Sequence, residues 1–329
     1  MAKHLMDFSL EEDFETYVLI KNADKRVAKN GKSFLSITFQ DQSGQIAGMY
    51  WDASEQDAQQ FVPGRVVYLK GKRENYKDTP QIKIYEMRLT KANEPHDPLM
   101  FVKRAPMTSQ EMKDYINQTI FEITNATYNR IVRALLNRHA KSFFSYPAAK
   151  SNHPDFAGGL AFHTISILRL AHSVVKQYPD IEAPLLYAGA VLHDLGKTVE
   201  LSGPVGTEYT LAGNLLGHLS IIDAEIVEAA DKLGIDGQNE DLLLLRHMVL
   251  SHHGLLEYGS PERPKLLEAE ILHDLDELDA SIMMIQGALT NIVPGDYSDR
   301  IFGLDNRRFY KPHTPNHLQD SGKDPSSLF

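Results

Sequence analysis

Two periodicities divide the chain. Up to about residue 90, apolar and polar residues alternate in short runs bounded by turn residues, the mark of half-buried strands. Tyr17–Arg26, Ser33–Gln40, Gln45–Trp51, Val66–Arg73 and Gln81–Leu89 each read as a strand. Asn30-Gly31, Asp41-Gln42-Ser43-Gly44 and Lys77-Asp78-Thr79-Pro80 supply turns between them. Ser54–Phe61 reads as a short helix, with Ser54 as its cap and Pro63-Gly64 as its stop. Past residue 106 the apolar spacing becomes helical. Ser109–Ile123, Tyr128–Phe144, Phe162–Lys176, Ala183–Leu195, His218 to Leu233, a helix from Asp241 and Ile271–Ala280 follow one another with almost no strand signal.

The expected fold class is therefore multidomain α and β, a five-stranded β-barrel followed by an all-α domain. A helix between the third and fourth strands is the order of an OB-type barrel, and a generic five-stranded barrel would alternate in the same way. The expected boundaries are an OB-type domain over 1–90, a polar, proline-bearing linker over 91–106, an all-helical domain over 107–306, and an extended or disordered tail over 307–329.

Composition narrows the chemistry. The 329 residues include no cysteine, so any transition-metal site must use histidine and carboxylate. The N-terminus lacks an apolar signal core and no run of about 18 apolar residues exists, which leads us to expect a cytoplasmic protein without a membrane span. The net charge of −10 argues at first against nucleic acid. Its distribution changes that: residues 1–105 carry 16 Lys and Arg against 15 Asp and Glu, the remainder 18 against 29. An acidic domain tolerates a phosphate substrate when bound divalent cations invert the local sign.

That acidic half also gathers histidines in a set order. His163 follows Gly158-Gly159-Leu160, His193-Asp194 precedes Gly196-Lys197, His218 follows Gly217, His252-His253-Gly254 ends a helix, and Asp276 precedes Asp279 by one turn. Neutral imidazole and carboxylate suit borderline and hard divalent ions. Asp194 has two oxygens and is able to bridge two cations, which together would activate a shared water. Adjacent helical residues diverge by about 100°, so His193 and Asp194 both reach inward only where the helix ends, and Gly196 permits that ending. A lone buried histidine is more often part of the core than a ligand. The ordered set is what points to metal. His4, His96, His139, His172 and His313 fit no part of it, and His273 stands between a supporting role and the core.

This ordered set resembles the HD superfamily of metal-dependent phosphohydrolases, in the branch that holds two metals. The resemblance implies His163, His193, Asp194, His218, His252 and Asp276 as ligands, with His253 the alternative to its neighbour, and Asp194 and Lys197 as catalytic residues, Lys197 on the substrate phosphate. It implies two divalent ions, manganese foremost, with iron, magnesium, cobalt or zinc as substitutes. Phe34 to Gly44 followed by Tyr50-Trp51-Asp52 is similar to nucleic-acid-binding OB domains. With Asn306 to Pro312 near the end, the whole chain looks like the YhaM-type 3′→5′ exoribonucleases, whose relatives tend to carry paired histidines where this chain has His153-Pro154. The implied substrate is single-stranded RNA, with DNA as an extension, and the implied product a nucleoside 5′-monophosphate. Self-association to enclose the strand is a further expectation. Phe34 shares the polar face of its strand with Ser36 and Thr38, where an aromatic is free to stack a base, and Trp51, Tyr68 and Lys72 are further strand-contact candidates. The rivals are an HD hydrolase of small nucleotides and a non-catalytic single-strand-binding protein. The first has no need of a strand-tracking barrel, and the second no need of a full ligand set.

Overall fold

The computed structural model describes residues 3–28, 31–76, 79–149, 156–290 and 292–313. Asn30, Lys77-Asp78, His153-Pro154 and the tail beyond 313 lie outside these. Strands β1 (Asp13–Val27), β2 (Ser33–Asp41), β3 (Gly44–Trp51), β4 (Val66–Tyr76) and β5 (Thr79–Leu89) close into a barrel in the order β1-β2-β3-β5-β4. The β3–β5 pair is parallel and the others are antiparallel. Closure gives every strand a hydrogen-bonded neighbour on both sides. Leu35, Ile37 and Phe39 of β2 point inward with Val18, Ile20, Val67, Leu69 and Ile82, all essentially inaccessible. Each contributes roughly 1.5–3 kcal/mol by burial. β1 begins four residues earlier than the alternation suggests, because Asp13 and Glu15 lie outward opposite Lys72 and Lys70. A bulge between Ile20 and Asn22 bends it from β4 towards β2.

Helix α1 (Glu55–Gln60) fills the β3–β4 connection. Ser54 and Asp57 form a capping box, and Phe61 follows to plug the barrel end against Tyr50. The segment after β5 is not a free tether. Phe101 and Val102 are buried with Leu19 and Val66 of the barrel and with Val205 of the helical domain.

The helical domain comprises α2 (Ser109–Glu122), α3 (Ala126–Phe143), α4 (Gly159–Gln177), α5 (Ala183–Leu192), α6 (Lys197–Glu200), α7 (Leu211–Lys232), α8 (Glu240–Ser251) and α9 (Leu267–Leu289). Eight of ten α5 residues are buried, and α3, α4, α8 and α9 pack around it. A helix apolar on every side demands that position. Two helices are longer than their sequence signals. α9 continues nine residues past Ala280, and α7 starts seven residues before His218, with a kink at Gly217 (φ 71°, ψ 156°). Thr210 caps that extra segment by accepting from the Gly213 amide. Beyond α9 the chain doubles back: Tyr310 bridges Tyr297, Arg307 bridges Ile301, and Lys311 Nζ donates to the Leu289 carbonyl at the helix end. Within the stretch expected to be extended or disordered, Arg307, Phe309, Tyr310 and Lys311 make local pairings. No helix among the described residues is long and apolar enough to cross a membrane.

Candidate metal centre and strand-contact surface

All six histidine and aspartate positions singled out in the sequence converge on one place. α5 stops at Leu192, and His193 and Asp194 occupy the turn before α6, so both face the same pocket. Asp194 Oδ2 lies 3.4 Å from His193 Nε2 and 3.6 Å from His163 Nε2, which is itself 3.1 Å from Asp276 Oδ1. Its other oxygen, Oδ1, lies 3.4 Å from His218 Nε2 and 3.9 Å from His252 Nε2. Ligands about 2.1 Å from one ion stand roughly 3–4 Å apart. The donors form two groups, His163–His193–Asp276 and His218–His252–His253, each within 4.8 Å. Asp194 stands between them with one oxygen towards each.

Four imidazoles are fixed in the tautomer that a cation requires. Nδ1 of His193 donates to the Ala190 carbonyl at 2.8 Å, and Nδ1 of His252 to that of Val249 at 2.7 Å. Nδ1 of His163 meets Asp279 at 2.7 Å, and Nδ1 of His218 meets Glu200 at 3.1 Å. With Nδ1–H engaged, the Nε2 lone pair of each neutral ring points at the centre. Asp194 Oδ1, His218 Nε2 and His252 Nε2 are buried and have no hydrogen-bond partner. Each such orphan costs about 1–3 kcal/mol. A divalent cation would satisfy all three, and an N/O donor set without thiolate fits one.

The electrostatics agree. Burial alone would raise Asp194, yet the Lys197 charge and the His193 and His218 rings hold it well below the carboxylate range. Burial works against a charged His163, but hydrogen bonds to Asp276 and Asp279 and the nearby carboxylates push it up to about 10. A proton and a cation compete for that same nitrogen. Burial, then His253 and His193, push His252 well below its ordinary value, which keeps its lone pair available. Lys197 Nζ donates to Asp194 Oδ2 at 2.7 Å, at the rim of the pocket.

Four features of the site go beyond the sequence expectations. Glu200 takes the His218 backbone N–H as well as its ring, and Asp279 takes Ser166 Oγ as well as His163. His253 faces His218 alongside His252, because α8 ends at Ser251 and the following turn brings both rings inward. His273 holds that turn, donating from Nδ1 to the His252 carbonyl at 2.8 Å. The fourth concerns Gly196, whose φ of −60° suits any residue, so it is not needed to end the helix. A Cβ there would lie 2.3 Å from the His218 carbonyl oxygen, and close backbone approach is what demands glycine. Glu200→Ala is expected to weaken divalent-ion affinity about 10–100-fold, the usual cost of losing a carboxylate behind a metal-binding imidazole. Titration calorimetry with Mn²⁺ measures this, and unchanged affinity would show that Glu200 does not orient His218.

On the barrel, Phe34 and Trp51 are cross-strand partners whose rings lie 4.8 Å apart at a 33° tilt, with Trp51 60% exposed. Tyr68 and Lys72 sit elsewhere, on the β1–β4 surface. Tyr68 donates its hydroxyl to Glu15 at 2.6 Å under the Arg88 guanidinium, and Lys72 pairs with Glu11. The structure therefore joins two of the four strand-contact candidates and leaves the other two engaged with carboxylates.

Comparison with known proteins matches residues 18–90 to the OB-fold nucleic acid binding domain and residues 160–281 to the HD domain. A curated protein of Listeria monocytogenes, named 3′-5′ exoribonuclease YhaM, is 47% identical over 312 residues, covering 95% of this chain and 99% of the relative. Proteins of the same name from Listeria welshimeri and Listeria innocua are 47% and 46% identical over the same share of each chain. Identity at that level along almost the whole length settles the family: the chain belongs to the YhaM-type 3′-5′ exoribonucleases, an OB-fold domain joined to a metal-dependent HD domain.

Proposed function

We propose that this protein shortens single-stranded RNA from its 3′ end, releasing nucleoside 5′-monophosphates, with two divalent cations, manganese foremost, held by His163, His193, Asp194, His218, His252 and Asp276. The observation that carries this reading is the division of Asp194, whose two oxygens serve separate imidazole groups. Bound ions would supply a water of lowered pKa and charge to hold the phosphodiester oxygens. The chain does the rest. Its Nδ1 contacts hold the imidazoles in register, Asp194 ties the two groups together, and Lys197 offers a cation at the rim to a non-bridging phosphate oxygen. Attack by water on the terminal phosphodiester leaves the phosphate on the released nucleoside, so no side-chain nucleophile is required.

The Phe34–Trp51 pair supports a stacking platform for the strand. Stacking reads no 2′-hydroxyl, which supports single-stranded DNA as an additional substrate. The exposed Leu211, Leu215 and Leu216 beside His218 support self-association of the chain. Phe34→Ala and Trp51→Ala are each expected to weaken binding of a single-stranded RNA by about 1–3 kcal/mol. Fluorescence anisotropy in the absence of divalent ions checks this, and unchanged affinity in both variants removes the platform.

The function is tested by incubating the protein with Mn²⁺ and 5′-labelled single-stranded RNA alongside nucleotide substrates. A ladder shortening from the 3′ end is the expected result. Intact RNA beside hydrolysed nucleotides would make the protein a small-nucleotide hydrolase. RNA bound and never cut would make it a binding protein.

A further inference from the structure

The outer face of β1–β3 is a graded track. Its cross-strand rows run Arg26–Phe34–Trp51, Asp24–Ser36–Met49, Asn22–Thr38–Ala47 and then Leu19–Gln40–Gln45. Aromatics thus stand at one end and amides at the other, separated along β2 by roughly 20 Å. The amide end is not open surface. The loop between α6 and α7 comes down on it as a hairpin, closed by a Leu201–Tyr209 bridge and by the Ser202 amide donating to the Glu208 carbonyl at 2.8 Å. Val205 lies against Gly64, and Gly206 against Pro63, so the hairpin tip is seated on the barrel. Between them lies a cleft of about 290 Å³, whose walls include Asn22, Thr38, Gln40 and Gln45 from the barrel and Thr207 from the hairpin.

We propose that this cleft is a nucleoside subsite for the RNA strand, upstream of the reacting 3′ end and entered by way of the β1–β3 track. Its size lies at the lower end of small-ligand pockets, enough for a single nucleoside. Its chemistry selects the part recognised. Amides and hydroxyls donate and accept, matching base edges and sugar hydroxyls. Lys21 and Glu208 line it together, so the cleft presents both signs of charge to the strand and no cationic cradle for a phosphate. The hairpin is also continuous with the metal centre. Glu200, which holds His218, immediately precedes it, and Thr210, which caps the helix carrying His218, immediately follows it. A strand lying on the track and through the cleft is therefore delivered beside α6 and its Lys197.

The subsite rests on the exoribonuclease reading, and one experiment separates the two. RNAs carrying a single 4-thiouridine at successive positions from the 3′ end are irradiated with the full-length Asp194→Ala protein, and the crosslinked peptides are mapped by mass spectrometry. A terminal label should mark the helices around the metal centre, and one internal position should mark both the 36–45 and 202–208 segments. In the catalytically intact protein, the Gln40→Ala/Gln45→Ala double variant should raise KM for a long single strand about tenfold, the scale of losing two hydrogen bonds, with kcat held within about twofold. Thr207→Trp, which fills the cleft from the hairpin side and leaves every barrel residue unchanged, should raise KM likewise. Internal labels that never mark either segment, or an unchanged KM in both variants, overturn the subsite. A terminal label that misses the metal centre overturns the exoribonuclease reading and the subsite with it.

Discussion

Asp194→Ala should lower RNA hydrolysis by at least about 10³-fold, the scale of removing a group that stabilises transition-state charge. Three losses coincide in this substitution. The His163–His193 and His218–His252 groups lose the carboxylate between them, and Lys197 loses the partner that places its ammonium at the rim. Asp194→Asn keeps the shape but surrenders the charge, and is expected to lose most of the same activity. RNA affinity should stay within about twofold, because this carboxylate makes no contact with the barrel residues proposed to hold the strand and sites without shared partners act independently. Timed digestion of end-labelled RNA and anisotropy on the same preparations measure the two effects. Cleavage retained in Asp194→Ala would move the reaction to another part of the molecule.

Gly196→Ala should lower activity about 100-fold through a methyl group that touches no substrate. That methyl would sit 2.3 Å from the His218 carbonyl oxygen and 3.0 Å from its carbonyl carbon, both backbone atoms. The backbone must yield, and a displacement of about 1 Å at a catalytic group costs on the order of 10²-fold. The same crowding should destabilise the fold by about 1–3 kcal/mol, visible as a lower thermal midpoint. Gly217→Ala is the informative contrast. Its φ of 71° strains any side chain, yet a Cβ there meets nothing within 4 Å. It should cost stability of about 1–2 kcal/mol with a much smaller loss of rate. Equal activity in Gly196→Ala and the parent would show that the close α6–α7 approach does not position His218.

The six candidate ligands were legible because each lies near a helix end or on an inward face, and because their order along the chain matches a known pattern. Their supports were not. Glu200 and Asp279 act on rings 18 and 116 residues away; nothing local marks Glu200, and Asp279 stands out only as a carboxylate one turn past Asp276, without its tie to His163. His252 and His253 stayed unresolved because adjacent side chains diverge on a helix, and only the end of α8 at Ser251 lets both face inward. The first turns of α7 were hidden by Gly213 and Gly217, which read as breakers. In the structure Gly213 is a packing glycine, since a Cβ there would fall 2.3 Å from the Glu200 carbonyl oxygen. The barrel followed from alternation alone. Which of its aromatics share a surface did not, because that depends on register: Phe34 meets Trp51, while Tyr68 lies opposite Tyr17 on the far side of β1.

The spacing between the Phe34–Trp51 pair and the amide end of the track also sets a ruler. On the proposed path a long strand would touch both ends while its terminus is being trimmed. As trimming proceeds, the remaining oligomer becomes too short to reach the aromatics, and its hold weakens before the supply of bonds to cut is exhausted. Digestion should therefore slow at a characteristic residual length, and shortening the platform by Trp51→Ala should blur that limit.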